Sequence, residues 1–282
     1  MGITITAQEK AILQKVAIPP RPEALIKIGE EAKKPEPDVS VIASTISADV
    51  GISAAVLQVV NSPVFRRSKE IQSIQQAVMT LGLKRLLPLV KSVALKTSMG
   101  SAEQLADFWD TASKIANAAS ISADLLNKTA LKDHAYMLGL FHNAGIPVMI
   151  MEYDDYRDII AMAEEGGWQS VADEERTRYG TSYTTMSAVL AQKWKLPAVM
   201  VETIYYQQDV EGLYTSGELS ATGLDLMSIL KLARHGVHYE KTNSAADTEW
   251  EAVEDAVLER FDLTDADMET LREQLVEKMS EQ

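Results

Sequence analysis

The sequence contains no cysteine, and this absence removes several classes of function at once. Thiol nucleophiles, disulfide bonds, zinc–cysteine sites and iron–sulfur clusters all depend on cysteine. A small secreted scaffold held together by disulfides is excluded for the same reason.

Long apolar runs are also missing. A helix that crosses a bilayer needs about 18 or more consecutive apolar residues. The nearest stretch, residues 137–151, is interrupted by His142, Asn143 and Pro147. The N-terminus has no basic start followed by an apolar run, so it shows no signal-peptide pattern. We therefore predict no membrane association and a cytoplasmic location.

Basic residues are outnumbered, since 27 Lys and Arg stand against 41 Asp and Glu, for a net charge of −14. Nucleic acid is not an expected partner, because a strongly acidic protein repels the phosphate backbone. Residues 247–282 hold 13 acidic and 3 basic residues, a net charge of −10, which leaves −4 for the rest of the chain. This imbalance predicts a distinct acidic C-terminal unit.

Motifs for common enzyme chemistries are absent. The chain has no Gly-x-Ser-x-Gly nucleophile turn and no glycine-rich nucleotide loop of the Walker or dinucleotide type. Neighbouring carboxylates occur at residues 152–155 and 173–175. We interpret both groups as solvated helix ends and not as general acid–base pairs.

Apolar residues recur at the helical spacing of three and four, most clearly over residues 108–126. Alternating strand patterns bounded by tight turns are weak. We therefore predict an all-α fold with about ten to fourteen helices, given typical helix lengths. Capping boxes are predicted at residues 6–9, 101–104 and, in a looser form, 264–267. Breaks are predicted at residues 18–22 and 33–38, at Gly82, and at residues 166–167 and 212–223.

Several of these features occur together, in a fixed order. They are IPPRP at 18–22, LQVVNSPVF at 57–65, SIQQAVMTLG at 73–82, FW at 108–109, LGLFHNAG at 138–145 and LKLA at 230–233. Their order and spacing resemble the HDOD domain, a bacterial output domain related to the HD metal-dependent phosphohydrolases. The resemblance implies an HD-like orthogonal helix bundle. We predict an N-terminal helix over residues 1–14, an HDOD domain over 15–240 and an acidic C-terminal helical extension over 241–282.

The resemblance also directs attention to a metal site. HD phosphohydrolases hold a divalent metal with a His, an adjacent His-Asp pair and a later Asp; the metal activates water and polarises a phosphoryl oxygen. The corresponding positions in this chain are Thr111, His142, Asn143, Tyr183, Gln207, Gln208 and Arg234. Only His142 is a good ligand, because Asn143 is neutral and Arg234 would repel a cation. We therefore predict a degenerate site without catalytic residues, metal or cofactor.

The functional prediction is a non-catalytic bacterial signal-transduction module that binds a protein partner. Two alternatives stay open. One is a metal-dependent phosphohydrolase with an unexpected ligand set. The other is a protein that binds a small, nucleotide-like anion, because Arg234 sets a fixed positive charge where the enzymes hold a metal. Arg66 and Arg67 form a second predicted contact for an anion or a partner, since arginine forks suit phosphates and carboxylates.

Other polar residues receive structural interpretations. We expect His142 to be hydrogen-bonded in the core and Asn61 to satisfy backbone groups at a helix end. His235 and His238 are interpreted as solvated residues near a helix end. In the C-terminal unit, one amphipathic helix is predicted from Trp250 to Phe261 and a second after residue 264, both packed on the body.

Overall fold

The computed structural model describes residues 3, 5–13, 22–65, 70–98, 105–209 and 212–281. Over these ranges the chain forms helices and no strand, which confirms the all-α prediction. The helices are α1 (Ala7–Leu13), α2 (Glu23–Glu31), α3 (Val39–Ala48), α4 (Val50–Val60), α5 (Ile74–Leu81), α6 (Leu83–Ser98), α7 (Ala106–Leu125), α8 (Lys132–Phe141), α9 (Gly145–Glu152), α10 (Tyr156–Gly166), α11 (Ala172–Tyr179), α12 (Tyr183–Lys193), α13 (Ala198–Tyr205), α14 (Leu213–Ser216), α15 (Ala221–Thr242), α16 (Thr248–Glu251), α17 (Glu254–Phe261) and α18 (Asp265–Ser280). Short 3-10 helices occupy Thr129–Leu131 and Trp168–Val171.

Helix starts follow local sequence signals. Two of the predicted capping boxes are present: Thr6 exchanges hydrogen bonds with Glu9, and Thr264 does so with Asp267. Such reciprocal bonds satisfy backbone N–H groups that a helix leaves free at its start. The predicted box at residues 101–104, the prolines at 19–20, and both Arg66 and Arg67 lie outside the described residues.

The predicted helix number is wrong, because the described residues contain 18 α-helices. The predicted helix from Trp250 to Phe261 is two helices, α16 and α17, broken at Val253 (φ −127°, ψ −8°). The predicted loop at residues 212–223 holds the one-turn helix α14 and the start of α15. A one- or two-residue break leaves the apolar period almost unchanged, so periodicity alone does not detect it.

Helix α8 lies at the centre of the molecule. It packs against α7 along its length, against α6 of the N-terminal helices, and against α13 and α15. Helices α2 to α5 form a layer that reaches α8 through α6, while α12 packs between α9 and α13. Within the described ranges no single helix is long and apolar enough to cross a membrane; one bent pair, Val39–Ala48 with Gly51–Val60, passes on length and composition together.

Two glycines set the position of the turn between α8 and α9. A Cβ on Gly139 would lie 2.5 Å from the Cα of Ala116 in α7, and a Cβ on Gly145 would lie 2.2 Å from the carbonyl oxygen of Tyr183 in α12. Backbones can approach this closely only where no side chain intervenes. The turn containing His142 and Asn143 is therefore held between two backbone contacts.

The C-terminal helices pack against the rest of the chain. Helix α18 contacts α7 and α15, and its Met268, Leu271, Leu275 and Met279 are buried. Trp250 of α16 is buried as well. The predicted apolar stripes thus face the body, although the division into residues 15–240 and 241–282 stays a prediction.

Asn61 has the structural role expected for it. Its side-chain amide donates to the carbonyl of Ile71 and its Oδ1 accepts from the Ile71 N–H, both at 2.8 Å. The Asn61 side chain thereby satisfies both backbone groups of Ile71, as a neighbouring strand would, and joins the end of α4 to the segment before α5.

Candidate functional site

His142 directly follows α8, as its C-cap residue, and is completely buried. Its Nδ1 lies 2.7 Å from the carbonyl oxygen of Gly139, so Nδ1 carries the proton and donates it. Burial and the positive charge of Arg234 hold the pKa of His142 well below its usual range, and the imidazole is neutral. Its Nε2 is a buried acceptor that has no hydrogen-bond partner in the described part of the chain.

An ion cluster lies beside His142. Lys231 of α15 donates to Oε1 of Glu249 at 2.5 Å, and Arg234, one turn further along α15, donates to Oε2 of the same carboxylate at 2.7 Å. The Lys231 side chain is only 1% exposed, and Glu249 is 20% exposed. Although burial opposes it, the charges of Arg234 and Lys231 hold the pKa of Glu249 below its usual range. A single carboxylate thus bridges two largely buried cations.

The two glutamines connect this cluster to the neighbouring helices. The side chain of Gln207 donates from Nε2 to the backbone carbonyl of His142 at 2.6 Å, and the backbone carbonyl of Gln207 accepts from Lys231 at 2.6 Å. Gln208 donates to the carbonyl of Trp168 at 2.9 Å. Both side chains serve as hydrogen-bonding links between backbone segments.

Tyr183 begins α12 and is fully buried, and its ring makes an edge-to-face contact with Trp168 at 4.8 Å between centroids. Burial raises the pKa of its phenol above the usual range, and the nearby Arg234 guanidinium opposes that shift. A neutral phenol here packs against the cluster and adds no charge to it.

A cavity of about 340 Å³ opens next to the ion cluster. Thr111, Asn143 and Arg234 line it, together with Glu249 and Trp168. Three of the predicted positions therefore share one cavity, and the others surround it through hydrogen bonds or charge. The Oδ1 atom of Asn143 is buried and has no hydrogen-bond partner among the described residues.

Comparison with known proteins assigns the family. The sequence profile of the HDOD domain matches residues 18–210, which is more than half of the chain. The chain belongs to the HDOD family. An uncharacterised protein of Treponema pallidum (strain Nichols) is 27% identical to this HDOD protein over 196 residues. That match includes 68% of the chain and only 38% of the Treponema protein.

Solved structures share the fold of this HDOD protein over nearly its whole length. A protein of Shewanella amazonensis SB2B, provisionally named a phosphohydrolase, superposes with a TM-score of 0.70 at 23% identity and covers 96% of this chain and 97% of its own. An HDOD protein of Geobacter sulfurreducens gives 0.68 at 18% identity, with coverages of 97% and 94%. A protein of Marinobacter aquaeolei VT8, provisionally named a signal transduction protein, gives 0.66 at 19% identity, with coverages of 99% and 60%. These similarities establish the fold.

The donor set of this HDOD protein does not fit a divalent metal. Among the seven positions that the resemblance assigns to the site, His142 is the only imidazole, and the adjacent Asn143 supplies a neutral amide and no carboxylate. Lys231 and Arg234 place positive charge beside His142, which opposes binding of a cation. Over the described residues, no group of three or more His, Cys, Asp or Glu side chains could hold a metal ion.

The interpretation of His235 as a solvated residue is wrong. His235 is completely buried, stacks on Trp250 at 4.9 Å between centroids, and contacts Asp247 through Nδ1 at 3.2 Å. The residues that cover it come from the segment after α15, which the helical spacing of α15 does not reveal. His238 is partly exposed, and its Nε2 lies 3.0 Å from the carbonyl oxygen of Ala246.

The interpretation of residues 173–175 as a solvated helix end is wrong for Glu175, which is completely buried. Its Oε1 accepts from the Tyr156 hydroxyl at 2.6 Å and from the Tyr183 N–H at 3.0 Å. Burial raises the pKa of Glu175 to about 7, against the effect of these hydrogen bonds. One carboxyl group thus links α10 and α11 to the start of α12.

Glu175 gives the protein a predictable dependence on pH. Its folded-state pKa lies above the usual value, so the folded protein holds a proton that the unfolded chain releases, and stability falls as pH rises from about 4.5 through 7. Between pH 5 and 8 the wild type should lose about 2 kcal/mol more than Glu175→Gln, which keeps an acceptor oxygen. Urea denaturation at both pH values measures the difference. The exposed Asp173→Asn should behave like the wild type, and equal pH profiles of wild type and Glu175→Gln would exclude this role.

Sequence reasoning missed the two residues that complete the ion cluster. Lys231 carried a signal, because it is flanked by apolar residues and lies three positions before Arg234 on the same helix. Glu249 carried no such signal, because one glutamate in a strongly acidic segment looks like its neighbours. Only the path of the chain after α15 brings its carboxylate to Arg234.

Proposed function

We propose that this HDOD protein is a non-catalytic signalling module that acts in the bacterial cytoplasm by binding a protein partner. The supporting observation is the Lys231–Glu249–Arg234 cluster beside His142. At the position that the resemblance to the HD enzymes assigns to a metal ligand, this chain has Arg234, which forms an ion pair with the carboxylate of Glu249. The charge and the hydrogen bonds of the site are used to hold helices together.

Metal analysis combined with enzyme assays tests the catalytic half of this proposal. The purified full chain, supplied with iron, manganese, zinc or magnesium, is assayed on phosphomonoesters, phosphodiesters and nucleotides. We expect less than stoichiometric metal and no turnover above the buffer. Stoichiometric metal with turnover that is lost in His142→Gln would contradict the proposal and favour a phosphohydrolase with another ligand set.

Reconstitution tests the partner half. Proteins cross-linked to the full chain in its native host are purified and mixed with it separately. We expect one of them to form a stoichiometric complex by size-exclusion chromatography with light scattering. If none of them forms a complex with the full chain, partner binding is not its function.

A further inference from the structure

One face of α15 carries a stripe of basic groups, which we call the basic stripe. Lys231, Arg234, His238 and Lys241 are spaced three, four and three residues apart. At about 100° per residue, these four positions fall within about a quarter of the helix circumference. The stripe runs from the buried middle of α15 to its exposed C-terminal end.

A short acidic segment covers this stripe. We call residues 247–251 the strap, which consists of Asp247 and helix α16. The carboxylate of Glu249 forms ion pairs with Lys231 and Arg234, and Asp247 lines the same cavity as Lys241. The strap therefore brings two carboxylates to a surface that would otherwise present several positive groups.

The strap has an anchor and a free side. Trp250 is buried and stacked on His235, which fixes the backbone of α16 against α15. Glu249 is 20% exposed and borders the cavity, so its Oε2 can move away from Arg234 by side-chain rotation while its Oε1 stays paired with Lys231 and Trp250 stays in place.

The cavity suits a small ligand better than a peptide. Its volume of about 340 Å³ lies at the lower end of the range for small-molecule pockets. Asn143 and Thr111 add an amide and a hydroxyl to the lining of the cavity, where hydroxyl groups of a ligand could bind. The guanidinium of Arg234 offers the fork that binds a phosphate group in a bidentate manner.

We propose that this cavity is an oxyanion site for a phosphate group, free or carried by a small molecule, and that Glu249 is its internal competitor. In the ligand-free protein the Glu249 carboxylate forms an ion pair with the Arg234 guanidinium. An incoming phosphate replaces it there, so that the charge of Arg234 remains compensated in both states. The inference goes beyond the proposed function, because ligand binding requires neither a partner nor catalysis.

Isothermal titration of the full chain with inorganic phosphate and with AMP, at constant ionic strength, tests the site. Glu249→Gln removes the competing charge and keeps hydrogen-bonding groups, and it should bind at least one probe about tenfold more tightly than the wild type. Arg234→Gln in the Glu249→Gln background should lose that binding. The matched controls are Glu251→Gln, an exposed acid of the same strap, and Lys193→Gln, an exposed cation on α12; neither should change the affinity.

Each outcome decides the proposal. Binding of phosphate alone identifies the free ion as the ligand, and tighter binding of AMP identifies a phosphate-bearing molecule. The proposal is overturned if neither probe binds, if Glu249→Gln does not bind more tightly, or if Arg234→Gln leaves binding intact. Should Glu249→Gln fail to fold, hydrogen exchange of the wild type replaces it: either probe, but not chloride, should slow exchange in residues 234–241, and no slowing overturns the site.

Hydrolysis of AMP is followed in the same samples. Release of phosphate would contradict the non-catalytic function and leave the binding site standing. Absence of binding would remove the site and leave the non-catalytic function standing.

Discussion

Replacing Glu249 with alanine is expected to lower the free energy of unfolding by about 3–5 kcal/mol. The substitution leaves Lys231 and Arg234 in a largely buried position without their shared carboxylate. Removing one partner of a buried ion pair is costly, because the remaining charge keeps its desolvation penalty and loses the attraction that offset it. Urea denaturation followed by circular dichroism measures the change.

Two further variants separate this effect from a general loss of acidic charge. Glu251→Ala removes an exposed acid from the same helix and should change stability by less than about 0.5 kcal/mol. The triple substitution Lys231→Met, Arg234→Leu and Glu249→Leu should recover most of the stability, since apolar replacement of a whole buried ion cluster is often neutral or stabilising. A small loss in Glu249→Ala, similar to that in Glu251→Ala, would show that the cluster is not a buried unit.

The second large effect is expected at Gly145, where alanine should cost about 3 kcal/mol or more. The added Cβ would lie 2.2 Å from the Tyr183 carbonyl oxygen and 2.7 Å from the Ser187 nitrogen. These are backbone atoms, so relief requires that α9 and α12 separate. The same movement would lengthen the 2.7 Å hydrogen bond from the Gly145 N–H to the Ser187 hydroxyl. Thermal and urea denaturation report the loss.

Gly51→Ala is the matched control, because Gly51 is an exposed residue of α4. There alanine should be neutral or stabilise the protein by up to about 1 kcal/mol, as expected for an exposed helical position. If Gly145→Ala and Gly51→Ala have the same stability, the close approach of α9 and α12 does not constrain the fold.

Much of the fold follows from local patterns. The capping residues Thr6 and Thr264 and the break at Gly82 are visible in the sequence, because caps and left-handed glycines act over a few neighbouring residues. Short breaks such as the one at Val253 are not visible, because the apolar face continues across them. The helix number was therefore predicted too low.

Some features of the candidate site are likewise visible in the sequence, and others are not. The order of the HDOD motifs located His142, Asn143 and Arg234, and the residue types alone argue against a metal. The burial of His235 and Glu175 was not predicted, because each is covered by residues distant in the sequence or on another helix. A charged residue in an acidic segment gives no local sign that a tyrosine lies above it.

By itself the sequence determined the helical class and the family, and it predicted a site with a single imidazole, because each depends on residue type and spacing along the chain. Only the tertiary structure decided which groups surround His142. The chain turns after α15 and brings Glu249 of the acidic C-terminal segment to Lys231 and Arg234. That contact depends on the path of the backbone and on burial, which raises the energy of an unpaired charge and so selects the one carboxylate within reach.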